Sequence, residues 1–282
     1  MENTVEVKDT NNCTTESQCI IAKKVCDICT QRDCLSPIPS ENSRLIDSAR
    51  LCGEKTVRID ENDNFVFEPG DLLSVPLDVT SVKLAGKFSV SECCIVSIEP
   101  LNACCGVGQQ GYWKITIRYK FTYPINFFRG TTPVPLEEDV SGTYVPVDSI
   151  LACTTWEKTV ILFGGDICKC NDDCVDIAFC NSLYEPCGPY SNEKPFALVQ
   201  VEGCLLQLDF GTPSDTSKPI NATIGLFSII KTYRIANMLV ETSGDCLVEE
   251  NPCQEDIDDP CEFFSKLDFP FKDFDPECPL DD

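Results

Sequence analysis

The chain has 282 residues and is 43% hydrophobic, enough for one large or two small domains with a real core and too much for a disordered chain. Its net charge of −24 excludes a basic nucleic-acid-binding surface, because phosphates would be repelled. It contains no histidine, which excludes Ser-His-Asp and Cys-His nucleophile systems, histidine-ligated zinc and 2-His-1-carboxylate iron.

Taken in chain order, residues 1–39 read as a cysteine-rich N-terminal arm: Cys13, Cys19, Cys26, Cys29 and Cys34 fall within 22 residues, followed by Pro37 and Pro39. The start, Met1–Glu6, is acidic and polar and has neither the basic residues nor the apolar run of a secretory signal, so synthesis in a cytosol is expected. Ser40 is placed to cap a short helix with Leu45, Ile46 and Ala49 on one face, ending near Cys52-Gly53.

Residues 40–240 read as a β-rich body, a sandwich or barrel of one or two modules. Phe88–Ile98 alternates loosely. Trp113–Phe121 alternates without a fault, with Trp113, Ile115, Ile117, Tyr119 and Phe121 on one face and Lys114, Thr116, Arg118 and Lys120 on the other, which is a half-buried strand. Thr159–Phe163 is a short apolar run closed by Gly164-Gly165 and suits a buried strand. Phe196–Val201, Cys204–Phe210 and Thr223–Ile235 are further strand candidates, and turn clusters such as Glu68-Pro69-Gly70 and Gly211-Thr212-Pro213 punctuate the series. Residues 129–148 read as a long loop. Residues 164–195 form a polar insertion with Cys168, Cys170, Cys174, Cys180 and Cys187, which covalent links or a metal would have to order.

Residues 241–282 are an acidic tail that carries −13 of the net charge together with Cys246, Cys253, Cys261 and Cys278. Disordered tails are poor in aromatics, yet this one holds Phe263, Phe264, Phe269, Phe271 and Phe274. Phenylalanines among acids suggest a segment that docks on its own body or on a neighbour; a solvated tail is the alternative. No EF-hand spacing occurs, and no apolar run reaches the roughly 18 residues of a membrane span.

Twenty-one cysteines are the dominant signal. Such chains work in oxidising places or bind metal, and an odd number cannot pair fully within one chain. Cys26-x-x-Cys29 admits three readings: a redox motif, which requires a helix start after a strand; half of a thiolate metal site completed from residues 168–187; or structural disulfides within or between chains. In the strand around Cys93-Cys94, alternation places Cys94 with Phe88, Val90, Val96 and Ile98 toward the core. Cys93 then points outward, available to a neighbouring chain or to a loop cysteine of its own. Cys104 and Cys105 precede Gly106 in a turn where both thiols are expected to be exposed. The cross-link candidates are thus the five arm cysteines, Cys93, Cys104, Cys105, the five of the insertion and the four of the tail. No catalytic residue, cofactor or metal site is assigned.

Three segments carry a resemblance. Lys24–Leu35 resembles the V-x-D-x-C-x-x-x-D-C-L opening of a family of cysteine-rich proteins from spore-forming clostridia, with Cys26 where an aromatic often sits. Ile98-Glu99-Pro100 followed by Tyr112–Phe121 resembles that family's central stretch, and Trp156–Gly164 resembles its F-D-K-x-V-I-L-F-G segment. The resemblance implies a structural, non-enzymatic protein of the spore coat or exosporium. Such a protein is made in the mother-cell cytosol without a signal peptide and exposed after lysis. It would self-assemble into a disulfide-locked sheet, with copies of itself and other outer-layer proteins as partners. A closed ring that tiles a plane, six-fold by preference, is the simplest route to a layer. The alternative expectation is a thiolate-cluster metal-binding protein.

Overall fold

A computed structural model describes residues 17–59, 65–101, 111–165, 194–241, 260–267 and 269. Expectations on Cys13, Cys104, Cys105, Cys168, Cys170, Cys174, Cys180, Cys187, Cys246, Cys253 and Cys278 lie outside these residues, as does the side chain of Cys19. Strands dominate what is described. In chain order they are β1 (Ser17–Ser36), β2 (Ser43–Leu45), β3 (Arg50–Leu51), β4 (Val57–Ile59), β5 (Val66–Phe67), β6 (Ser74–Pro76), β7 (Ser81–Leu84) and β8 (Ser89–Pro100). After these come β9 (Tyr112–Arg129), β10 (Thr132–Pro133), β11 (Leu136–Val140), β12 (Thr143–Pro146), β13 (Ile150–Phe163), β14 (Phe196–Phe210), β15 (Ser217–Glu241) and a helix, α1 (Pro260–Lys266).

Two large sheets face each other. The first runs β14-β15-β1-β2, with β6 against the start of β15. The second is centred on β9, with β13 and then β3 on one side and β8, β7 and β10 on the other. The strict alternation expected for Trp113–Phe121 is present and continues to Phe127, and its even-spaced apolar set is fully buried. Tyr119, Phe121, Tyr123 and Ile125 of β9 pack against Leu35 of β1 and Ile224, Leu226 and Ile230 of β15. At roughly 1.5–3 kcal/mol for each fully buried large side chain, this interior is the main stabilising feature. Hydrogen bonds close one end of the sandwich: Thr232 Oγ1 donates to the Phe163 carbonyl and Arg234 Nε to the Gly164 carbonyl, each at 2.6 Å. The chain is therefore mainly β, with a sandwich-like body.

Three local expectations are corrected. The stretch read as an arm is, over residues 17–36, a strand inside the first sheet, paired antiparallel with β15 from Ser17↔Glu241 to Leu35↔Ile224. Its partner is the long apolar β15, far away in sequence, which no local pattern announces. The helix expected from Ser40 does not form. Ser43–Leu45 instead runs parallel to Cys34–Ser36, and Ala49 N–H donates to the Ile220 carbonyl at 2.8 Å. A helix this short is marginal alone, and an existing sheet edge satisfies the same backbone groups. Leu45, expected to be buried, is 65% exposed. The stretch 129–148 is not a plain loop. It contains β10, β11 and β12, and β11 joins a small sheet β12-β11-β4-β5. There Leu136 is buried, and the Arg58–Glu137 and Lys55–Glu138 pairs absorb the charges that made the segment look loop-like.

Candidate cross-linking sites

The tail is held to the body by a disulfide. Cys34, near the end of β1, points to the outer face of the first sheet and is bonded to Cys261 at the start of α1, with Cα atoms 5.3 Å apart. In the register of the sheet, Cys34, Gly225 and Cys204 form one row across β1, β15 and β14. Gly225 leaves a notch in that row, and the Phe264 ring fills it: a Cβ at Gly225 would lie 2.6 Å from Phe264 Cδ2 and 3.0 Å from Cys204 Sγ. Phe264 is 1% exposed and packs on Phe227 at 4.5 Å between ring centroids, and Phe269 meets the same ring at 5.3 Å. Arg32 donates to the Ser265 carbonyl at 3.1 Å. Of the two docking options for the tail, residues 260–267 take the chain's own body. This covers the outer face of β15 at Gly225, Phe227 and Ile229, while Ser36 and Ser48 hydrogen-bond Thr223 and Asn221 earlier on the same face, so that residues 220–230 are buried on both faces.

The orientation expected for the vicinal pair on β8 is reversed. Two bulges, at Ser91 and Val96, shift the pairing with β9. Between them Cys93 stands opposite Tyr119 and Cys94 opposite Arg118, so Cys93 turns toward the interior and Cys94 outward. Each bulge inserts one residue and flips the facing of the residues beyond it, which an alternation count cannot detect. Cys93 is exposed at the strand edge, because among the described residues β8 pairs on one side only, but it stands on the face of Tyr119. Burial, then the neighbouring Cys94, pushes that thiol up to about 11. Cys94 Sγ donates to Glu92 Oε1 at 3.4 Å; its pKa is raised by desolvation and then by that carboxylate.

Cys26 and Cys29 lie in the middle of β1, Cys26 at a bulge between Val25 and Asp27, and not at the helix start a redox motif requires. Gln31 Nε2 donates to Cys29 Sγ at 3.0 Å, and the Asp27 carboxylate accepts from the Ile28 and Phe163 N–H groups, each at 2.9 Å. No group of three or more Cys, Asp or Glu among the described residues is placed to hold a metal ion, and no helix among them is long and apolar enough to cross a membrane.

Besides Cys94, three cysteines of consequence were not among the candidates. Cys204 is exposed on the outer face of β14, beside Gly225, and Cys52 and Cys153 meet between β3 and β13. Their sequence surroundings carry no cluster or spacing; only strand register brings them to notice. β14 and β8 are stacked on one side of the sandwich, since a Cβ at Gly203 would lie 2.9 Å from Val90 and 3.2 Å from Phe88. Among the described residues each of these two strands pairs on one side only. Among the described residues that side thus presents two strand edges without a partner, with Cys94 on one outer face and Cys204 on the other. Comparison of the chain with protein-family models, with curated proteins and with solved structures finds no match in any of the three.

Proposed function

We propose that this chain is a structural building block of a bacterial spore's outer layer, coat or exosporium, that self-assembles into a two-dimensional sheet and is locked there by disulfides between copies. One observation carries the reading: Cys94, half-buried, and Cys204, exposed, stand on the outer faces of two strands on a single side of the sandwich, each of which pairs on one side only among the described residues. An unpaired strand edge is a template for pairing with another chain, and a thiol on it converts a reversible contact into a covalent one. The odd cysteine count leaves at least one thiol that internal pairing cannot absorb. The resemblance of residues 24–35 and 156–164 to clostridial spore-layer proteins supplies the location, and a ring tiling a plane, six-fold by preference, supplies the geometry. Several disulfides per copy would make disassembly kinetically remote.

The test uses the full chain. Purified without reductant, it should run as high-mass species on a denaturing gel and collapse to its 31.3 kDa monomer only with heat and reductant. Electron microscopy should show an ordered sheet, and peptide mapping should find links between copies at Cys94 or Cys204. A clean monomer without reductant, with no sheet on the grid, overturns the proposal.

A further inference from the structure

We propose that Cys52 and Cys153 are a disulfide-forming pair within the chain, a second staple that ties the segment after β3 to the outer face of β13. The backbone places them. β3 and β13 run antiparallel with Leu51 opposite Ala152 and Arg50 opposite Cys153. Cys52 N–H donates to the Leu151 carbonyl at 2.8 Å, which carries the ladder one residue further. Cys52 therefore stands opposite Leu151, and Cys153 is its diagonal neighbour on the same face. That face is the outer one, because Ala152 between them points into the core. Leu151 on this face is 41% exposed, while Cys153, two residues on, is 9% exposed.

What covers Cys153 is β3. Its thiol has Cys52, Lys120 and Arg50 as its charged or titratable neighbours. Both cysteines are thiols in this structure. Cys52 ends the ladder next to Gly53, whose φ of +135° lets the chain turn away at once, so the element that adjusts to close the bond is the free end of a two-residue strand.

The oxidant is a small disulfide such as oxidised glutathione. The Cys52 thiolate attacks one glutathione sulfur; that S–S bond breaks and one glutathione leaves as a thiol. Cys153 then loses its proton and attacks Cys52 Sγ, and the second glutathione leaves as a thiol. Two protein thiols are oxidised, one glutathione disulfide is reduced to two thiols, and the two protons end on them. Cys52 is half-buried and Cys153 buried, so the first encounter falls on Cys52. Burial, the largest cause and one that does not depend on the state of Cys52, holds the Cys153 thiol above its ordinary value, which makes closure the slow step.

The full chain is reduced, incubated with oxidised glutathione, quenched with an alkylating agent, digested and mapped by mass spectrometry. The expected result is a linked peptide pair joining Cys52 to Cys153, with Cys153→Ser trapping glutathione on Cys52. Between pH 7 and pH 9 the closure rate should rise about tenfold per pH unit, following the Cys153 thiolate fraction. Recovery of both cysteines as alkylated thiols while Cys34–Cys261 is linked overturns the proposal, and so does Cys52 mapped mainly to another cysteine. A closure rate independent of pH overturns the order of attack.

Discussion

Asp33 is 4% exposed on the inner face of β1, and its carboxylate accepts from the Lys158 ammonium of the opposite sheet. Arg44 approaches the same carboxylate at 3.9 Å but from solvent, so it contributes little. Lys158→Met leaves a buried carboxylate with its buried cation gone, and the expected loss is about 3–5 kcal/mol. Urea unfolding should show it, and adding Asp33→Leu to the same chain should recover most of the loss. A wild-type midpoint for Lys158→Met would show that the pair is not buried in solution. Two thiols give a second prediction at this scale. Cys93 is pushed up to about 11 and Cys153 to about 12, against an ordinary 9.0 in the unfolded chain. A raised folded value means the fold favours the protonated thiol. The contribution is complete below pH 9 and is lost as pH rises from 9 toward 12. The reduced protein should therefore unfold at lower denaturant at pH 10.5 than at pH 8.5. Cys153→Ser should show a smaller decline; an equal decline would mean that Cys153 takes no part.

Among the elements, α1 has seven residues and would not be helical alone. It is fixed by the Cys34–Cys261 bond, by Phe264 in the Gly225 notch and by Phe269 on Phe227. Gly225→Ala puts a methyl where the Phe264 ring sits, an overpacking that costs about 1–3 kcal/mol. The expected outcome is a tail cut faster by protease and a Cys34–Cys261 bond reduced faster, with the body still folded. Unchanged rates for both would show that the notch does not hold the tail. Cys34→Ser should have the larger effect, because a disulfide closing a long loop contributes about 2–4 kcal/mol. The protease series ranks the two.

For the whole molecule, a net charge of −24 opposes the packing of copies side by side. Screening shortens the reach of that repulsion from about 10 Å at 0.1 M salt to about 3 Å at 1 M. Sheet assembly of the reduced chain, followed by light scattering, should accelerate with sodium chloride. Assembly slowed by salt would point instead to ion pairs between copies as the driving contacts. In the proposed sheet the thiols act after the contact has formed, so Cys94→Ser with Cys204→Ser should leave the rate of assembly unchanged and lower its resistance to boiling.

Much of the architecture is local and was readable. The alternation of Trp113–Phe121 encodes which face is buried, because a strand has a period of two whatever its partner, and the turn residues mark where strands stop. The apolar run Thr159–Phe163 is a strand as expected but not a buried one: Val160 and Leu162 face the core while Ile161 is 54% and Phe163 37% exposed, because only one face of β13 is covered by the other sheet. The phenylalanines among the tail's acids announced a docking segment for the same reason: exposed rings in water are unfavourable. Other features belonged to the tertiary structure alone. Residues 17–36 became a strand because β15 offered them an edge, and residues 40–53 gave up a helix for backbone partners in the sheets. Cys93 and Cys94 exchanged faces because bulges at Ser91 and Val96 adjust β8 to β9. The pairing of Cys34 with Cys261 spans 227 residues, and the meeting of Cys52 with Cys153 depends on the register of a two-residue strand. The amino-acid pattern determined that the chain is β-rich, apolar within and dense in thiols. Which thiols meet was decided by strand register, because a disulfide requires sulfur atoms in contact and contact between distant residues is set only when the sheets have packed.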